Sequence, residues 1–157
     1  MQSYITFEFC DWNNPIHTSA FLNLLNHYML DPMGDHHPLD VEEQTRLIKS
    51  LEEHATAEVL LMKKNNIYVG MTTVFTNYST FNIKPYLYIH DVVVLETLRG
   101  QGLGKLMIQH LTKVAKERGC CKLSLEVRED NPAAQKVYRE LGFKECSPKM
   151  LYWEQKI

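Results

Sequence analysis

Residues 90–105 read His90-Asp91-Val92-Val93-Val94-Leu95-Glu96-Thr97-Leu98-Arg99-Gly100-Gln101-Gly102-Leu103-Gly104-Lys105. The first part ends a stretch, residues 86–95, that is rich in aromatic and β-branched residues, as expected for a strand buried on both faces. A glycine-rich turn follows. Residues 102 to 118 then carry Leu103, Leu106, Met107, His110, Leu111, Val114 and Ala115 on one stripe of a helix, with Gly119 as its stop. A strand running through such a turn into a helix is a general anion site, because the free N–H groups and the helix dipole point at one place. Gly100, Gly102 and Gly104 let the backbone approach a diphosphate without Cβ clashes, and Arg99 and Lys105 can add charge-assisted hydrogen bonds.

Two common phosphate motifs do not fit this turn. A dinucleotide fingerprint begun at Gly100 needs its third glycine where Lys105 stands, and one begun at Gly102 meets Met107 there. A P-loop ending in Gly104-Lys105 needs glycine at Arg99 and Ser or Thr at Leu106.

Upstream, residues 3 to 10 alternate as a strand with one buried face, with Ile5, Phe7 and Phe9 opposite Tyr4, Thr6 and Glu8. Ile16, Ala20, Phe21, Leu24, Leu25 and Tyr28 form a helical stripe stopped by Asp31-Pro32-Met33-Gly34. Asp40 with Glu43 three residues later marks a second helix start, with Val41, Leu47, Ile48 and Leu51 inward. Residues 57–63 and 67–78 read as antiparallel strands joined by Lys64-Asn65-Asn66, since asparagine tolerates left-handed backbone angles. Downstream, residues 122–127 read as a strand, and Asn131-Pro132 as the start of a short helix ended by Gly142. Residues 143–146 and 149–154 are the last two expected strands. This order gives a mixed α/β (α+β) sheet.

With 157 residues, 45% of them hydrophobic, the chain is expected to form one domain over residues 1–157. Its 17 basic and 19 acidic residues leave a formal charge of −2, which offers no global attraction to nucleic acid or an anionic membrane. Met1-Gln2-Ser3-Tyr4 opens a strand-like run, without a basic, apolar leader, and no apolar stretch is long enough to span a bilayer; a cytoplasmic protein is expected. Cys10, Cys120, Cys121 and Cys146 show no CxxC spacing and read as reduced thiols.

The spacing R-x-x-G-x-G at Arg99, Gly102 and Gly104 resembles the acetyl-CoA pyrophosphate loop of the GNAT acetyltransferases. The flanks resemble that family too: His90 to Val94 before the loop, Lys122-Leu123-Ser124-Leu125-Glu126-Val127 after the helix, then Asn131-Pro132-Ala133-Ala134 leading to Tyr138-Arg139-Glu140-Leu141-Gly142-Phe143. The resemblance covers about residues 86–145 and implies a mostly antiparallel sheet with splayed fourth and fifth strands, flanked by about four helices. It implies acetyl-CoA as co-substrate, with the pantetheine arm along the backbone of Val92, Val93 and Val94. The diphosphate would lie on Arg99, Gly100, Gln101, Gly102, Leu103, Gly104 and Lys105, with further contacts from Asn131, Ala134 and Tyr138. Capping of the following helix is an alternative duty for Asn131.

Acyl transfer from a thioester to an amine needs a base for the nucleophile and an acid for the leaving thiolate. By resemblance, Tyr138 is the acid; it is also an inward position of its helix. An imidazole is suited to take a proton at neutral pH, which ranks His90 slightly above Asp91 as base. His90 and Asp91 are strand neighbours and face opposite sides unless a bulge intervenes. A buried histidine without catalytic duty is the other reading of His90. Glu126 is a third candidate, or a partner for a substrate ammonium. Cys120 and Cys121 lack a paired histidine, which favours direct transfer without an acyl-enzyme.

In this family the first helices cover the acceptor side. That makes Tyr28, Asp31, Met33 and the loop Gly34-Asp35-His36-His37 candidate contacts for a primary amine on a small molecule such as a polyamine, amino acid or aminoglycoside. Residues 78–81 are a further wall. Adjacent His36 and His37 lack a third ligand by spacing, so no metal is expected. Tyr152 and Trp153 read as a strand's buried side or a homodimer contact. A peptide N-acetyltransferase and a non-catalytic acyl-CoA sensor are the competing functions; Tyr138 argues against the sensor.

Overall fold

The computed structural model describes residues 4–34 and 36–157. Two compact units make up the chain, the first ending at Glu126 and the second running from Val127 to Ile157.

The first unit is built on one five-stranded sheet in the order β1-β2-β3-β4-β5. Its elements are β1 (Ile5–Phe9), α1 (Pro15–Met29), α2 (Val41–Glu53), β2 (Ala57–Lys64), β3 (Ile67–Ser79), β4 (Lys84–Val94), a 3-10 turn (Glu96–Leu98), α3 (Leu103–Glu117) and β5 (Leu123–Leu125). The β1–β2, β2–β3 and β3–β4 pairs are antiparallel, and β4–β5 is parallel. The β2–β3 turn holds Asn65 at φ 51° and Asn66 at φ 66°, the left-handed pair that a two-residue hairpin requires. Asp40 caps α2 in a reciprocal box with Glu43, as its spacing indicates.

Each sheet face takes one set of helices. Phe21, Leu24 and Leu25 of α1 pack with Val59, Leu61, Met71 and Val93 from the sheet, and Leu47, Ile48 and Leu51 of α2 lie against that cluster. On the other face Phe7 stacks on His110 of α3, with ring centroids 4.3 Å apart. Gly70 leaves room there: a Cβ on it would stand 2.7 Å from the Val93 carbonyl and 3.6 Å from Met107 Cε. Burying a side chain the size of Leu61 or Leu111 stabilises the fold by about 1.5–3 kcal/mol, so these two layers hold the sheet in place.

The second unit contains α4 (Pro132–Glu140), with Pro132 in its first turn and the Asn131 side chain accepting the Ala134 N–H at 3.1 Å.

Several expectations from the sequence are corrected. Residues 143–157 form neither strand, and Met150, Leu151, Tyr152 and Trp153 are exposed, which removes the buried-strand reading of the last two. Pro148 has no N–H for a ladder, and Lys144, Glu145, Ser147 and Lys149 interrupt the apolar pattern. The strand expected over 122–127 is confined to Leu123–Leu125. Ile16 and Val41, expected inward, are exposed because each stands in the first turn of its helix, and Leu106 is exposed as well. β4 is not buried on both faces: Leu87, Ile89 and Val93 are buried, whereas Tyr86 and Tyr88 are half-buried and His90 is exposed.

Candidate active site

The site begins where β4 and β5 part. β5 pairs with β4 only as far as Ile89, opposite Leu125, while β4 continues to Val94. The Leu95 N–H donates to the Val69 carbonyl on the β3 side at 2.9 Å. By antiparallel alternation Val94 and Val92 therefore turn their N–H and C=O groups to the other edge. That edge has no strand partner past Ile89 among the described residues. Extended backbone groups at an open edge can take hydrogen bonds from an amide-bearing chain laid beside them.

The ladder between β3 and β4 carries a bulge at the same place. Thr73 is opposite Asp91, but the next pair is Val74 with Ile89, so His90 is the extra residue. Met71 and Val93 belong to the α1-side core. Thr73, Asp91 and Phe75 follow on that face by alternation from Met71. Beyond the bulge Tyr88 lies opposite Phe75, and the His90 ring meets Phe75 edge-on at 5.8 Å and Tyr88 at 6.0 Å. The bulge thus brings His90 and Asp91 to one face, the condition under which both can address one substrate. His90 is exposed and Asp91 half-buried, so the reading of His90 as a buried core histidine does not hold. The Tyr88 hydroxyl donates to Glu126 Oε1 at 3.2 Å, placing that carboxylate on the same face.

On the edge side, the glycine-rich turn enters α3 through Gly102 at φ 77°, and no side chain caps the helix. The first N–H groups of a helix have no intrahelical partner, and an anion placed there meets the positive end of the dipole. Adding a Cβ at Gly104 would meet only Val94 Cγ2, at 3.9 Å. The first turn of α3 and the open edge of β4 therefore adjoin, with room between them. Gln101 accepts a 2.7 Å hydrogen bond from Lys64 Nζ, tying the turn to the end of β2.

Arg99 is held from two sides. Its Nε donates to the Val94 carbonyl at 3.2 Å and its guanidinium pairs with Asp31 at 2.7 Å. The Asp31 side chain is only 9% exposed, and the Met33 N–H, with Arg99, holds its carboxyl below the usual range. His27, in the last turn of α1, accepts the Glu96 N–H at 3.2 Å. Together these bonds fasten the end of α1 to the connection between β4 and α3. Tyr28 packs against the α1-side core, and Met33 is half-buried in the turn after α1. Asp35 lies outside the described residues; His36 stacks on His37, which pairs with Glu43. Tyr78 and Phe81 are exposed at the far end of the β3–β4 hairpin.

In the second unit the Asn131 side-chain Oδ1 accepts the Ala134 N–H, and Tyr138 lies on α4 with its ring 5.7 Å from Phe143. The cysteines are poorly set for nucleophilic work: burial pushes the Cys10 thiol up to about 12, and burial raises Cys120 as well. A concavity of about 670 Å³ between α1 and the start of β3 is lined by Ile16, Ile67, Tyr68 and Leu95 among others and includes none of the expected site residues. No helix among the described residues is long and apolar enough to cross a membrane.

Sequence reasoning did not single out Phe75, Tyr88 or His27. The alternation of Tyr86, Tyr88 and His90 along one strand was visible, but their pairing with Phe75 depends on a cross-strand register that the sequence does not display.

Comparison with known proteins bears on the same residues. Thialysine N-epsilon-acetyltransferase of Bos taurus is 35% identical over 47% of this chain and 43% of its own length. Streptothricin acetyltransferase of Streptomyces lavendulae is 39% identical over 45% of this chain and 36% of its own. The chain thus spans less than half the length of these two relatives. A crystal structure of a probable acetyltransferase superposes on the whole chain and 99% of its own with a TM-score of 0.80 at 19% identity, which is a likeness of fold. Residues 19–143 match the model of the acetyltransferase (GNAT) family. That span holds the bulge, the open edge and the glycine-rich turn, and the chain belongs to the GNAT acetyltransferase family.

Proposed function

We propose that the chain moves an acetyl group directly from acetyl-CoA to a primary amine on a small molecule. The observation that carries this reading is the coincidence of the β4 bulge, the parting of β4 from β5, and the uncapped start of α3 beside the open edge. An extended amide chain on Val92 and Val94 and a diphosphate at Gly100 to Lys105 are the two ends of one ligand that this arrangement fits.

Bound there, acetyl-CoA supplies a thioester carbonyl as electrophile. His90 takes the proton of the acceptor ammonium, directly or through water, and Asp91 on the same face is the alternative base. The amine nitrogen then forms its bond to the carbonyl carbon as the carbon–sulfur bond breaks; Tyr138 gives its phenolic proton to the thiolate and is restored by the second proton that the nitrogen loses on becoming the amide. The role of Tyr138 rests on its place in the family motif; Asn131 and Ala134 form the helix start that precedes it. The names of the two relatives, both acting on small amine compounds, support a small-molecule acceptor.

The test is release of CoA thiol from acetyl-CoA across diamines, amino acids, aminoglycosides and short peptides, beside Tyr138→Phe and His90→Gln. Turnover with one small-amine class is expected, with kcat lowered about 10²-fold or more in each variant, the usual range for a lost acid or base. Turnover with peptides alone overturns the choice of acceptor, and full activity of both variants overturns the assigned roles.

A further inference from the structure

The face that carries His90 and Asp91 continues outward as a row of rings. Phe75 on β3 lies beside Tyr88 on β4, His54 meets Phe75 edge-on at 5.3 Å, and Glu126 accepts the Tyr88 hydroxyl. Neither Asp91 nor Glu126 forms an ion pair among the described residues, although Glu8, Asp31 and Glu58 do. At the outer end of the same row the chain shows what these rings attract: the Lys122 ammonium stands over the Tyr86 ring, 4.6 Å from its centroid. Rings with a carboxylate beside them attract a cation more strongly than either group alone, and the ring faces do so with little cost in desolvation.

We propose that the acceptor carries a second cationic centre, held against Phe75 and Glu126 while its reacting amine lies at His90 and Asp91. This rests on the acetyl-transfer reading above and specifies its substrate. Tyr88 and Asp91 are three residues apart on β4, so at the rise of an extended strand the two charges are separated by roughly 7–10 Å. Phe75 and Glu126 are then specificity-determining residues. They touch the part of the substrate that does not react, and they act on its affinity rather than on the chemical step. An acceptor with one charge would leave Glu126 without a counter-charge and gain nothing from the ring.

The experiment compares α,ω-diaminoalkanes of four to eight carbons with n-alkylamines of equal length, using thiol release from acetyl-CoA in the wild-type protein, Glu126→Gln and Phe75→Leu. Expected is a kcat/KM at least tenfold higher for the best diamine than for its matched monoamine, expressed in KM, with an optimum at an intermediate length. Glu126→Gln should reduce that diamine-to-monoamine ratio at least fivefold, expressed in the KM of the diamine, and Phe75→Leu should reduce it in the same sense. Equal efficiency for diamines and monoamines, or an unchanged ratio in Glu126→Gln, overturns the second cationic site while leaving acetyl transfer intact. Absence of thiol release with every amine overturns the reading on which it rests, and this inference with it.

Discussion

Replacing Gly104 by alanine is expected to stabilise the free protein while weakening acetyl-CoA binding. Gly104 lies in the first turn of α3, where glycine is worse than alanine by about 0.5–1 kcal/mol. The fold has room for the methyl group, whose only neighbour would be Val94 Cγ2 at 3.9 Å. In a chain of this size that gain corresponds to a melting temperature roughly 1–4 °C higher without ligand. The same methyl would project between the helix start and the open edge of β4, where the diphosphate and the pantetheine arm are proposed to lie. Loss of one charge-assisted hydrogen bond, about 1.5–3 kcal/mol, raises Kd at least tenfold. Thermal unfolding of the free protein and calorimetric titration with acetyl-CoA read the two effects separately. Gly102→Ala is the contrasting variant: at φ 77° alanine is strained by about 1 kcal/mol, so the free protein should melt lower. A Gly104→Ala protein whose Kd for acetyl-CoA stays within twofold of wild type would refute the placement of the cofactor.

Asp31→Asn removes a largely buried partner of Arg99 and should cost about 1–2 kcal/mol at pH 7. Because the folded carboxyl titrates below its usual 3.8, this contribution is present above that value and lost as pH falls through the lowered one. The variant's denaturation midpoint should therefore vary less with pH on the acid side, and an equally steep acid limb would contradict the pairing. His110 carries the opposite kind of shift: burial holds its folded pKa below 6.5, so the unfolded chain takes up the proton first and stability falls as pH drops through 6.5. His110→Phe, which keeps a ring stacked on Phe7, should flatten the melting temperature between pH 7 and 5.5; an unaltered pH dependence would contradict it.

Local signals in the sequence translated directly into structure. The Asn65-Asn66 turn, the Asp40–Glu43 box and the Asn131-Pro132 helix start are each written in two to four adjacent residues, and each formed as read. The strand, glycine turn and helix at residues 90–105 were legible for the same reason. The bulge at His90 was not, because it arises from a mismatch between two strands, seen only once Thr73 and Val74 are laid beside Asp91 and Ile89. The ion pair between Asp31 and Arg99 was hidden by the distance between them in the chain, and Asp31 read instead as a group awaiting a substrate. At the C-terminal end the apolar run Met150 to Trp153 suggested a strand, but a strand requires a ladder as well as a pattern, and among the described residues this stretch is exposed and joins no sheet.

The most direct measurement is mass spectrometry of acceptor and protein together, after incubation of the purified chain with acetyl-CoA and a diamine panel and matched incubations without protein. Expected is a diamine heavier by one acetyl group, formed only with protein present, while the intact mass of the protein stays that of the unmodified chain. No acetylated acceptor, or a protein that accumulates an acetyl group on cysteine, would contradict direct transfer to an amine.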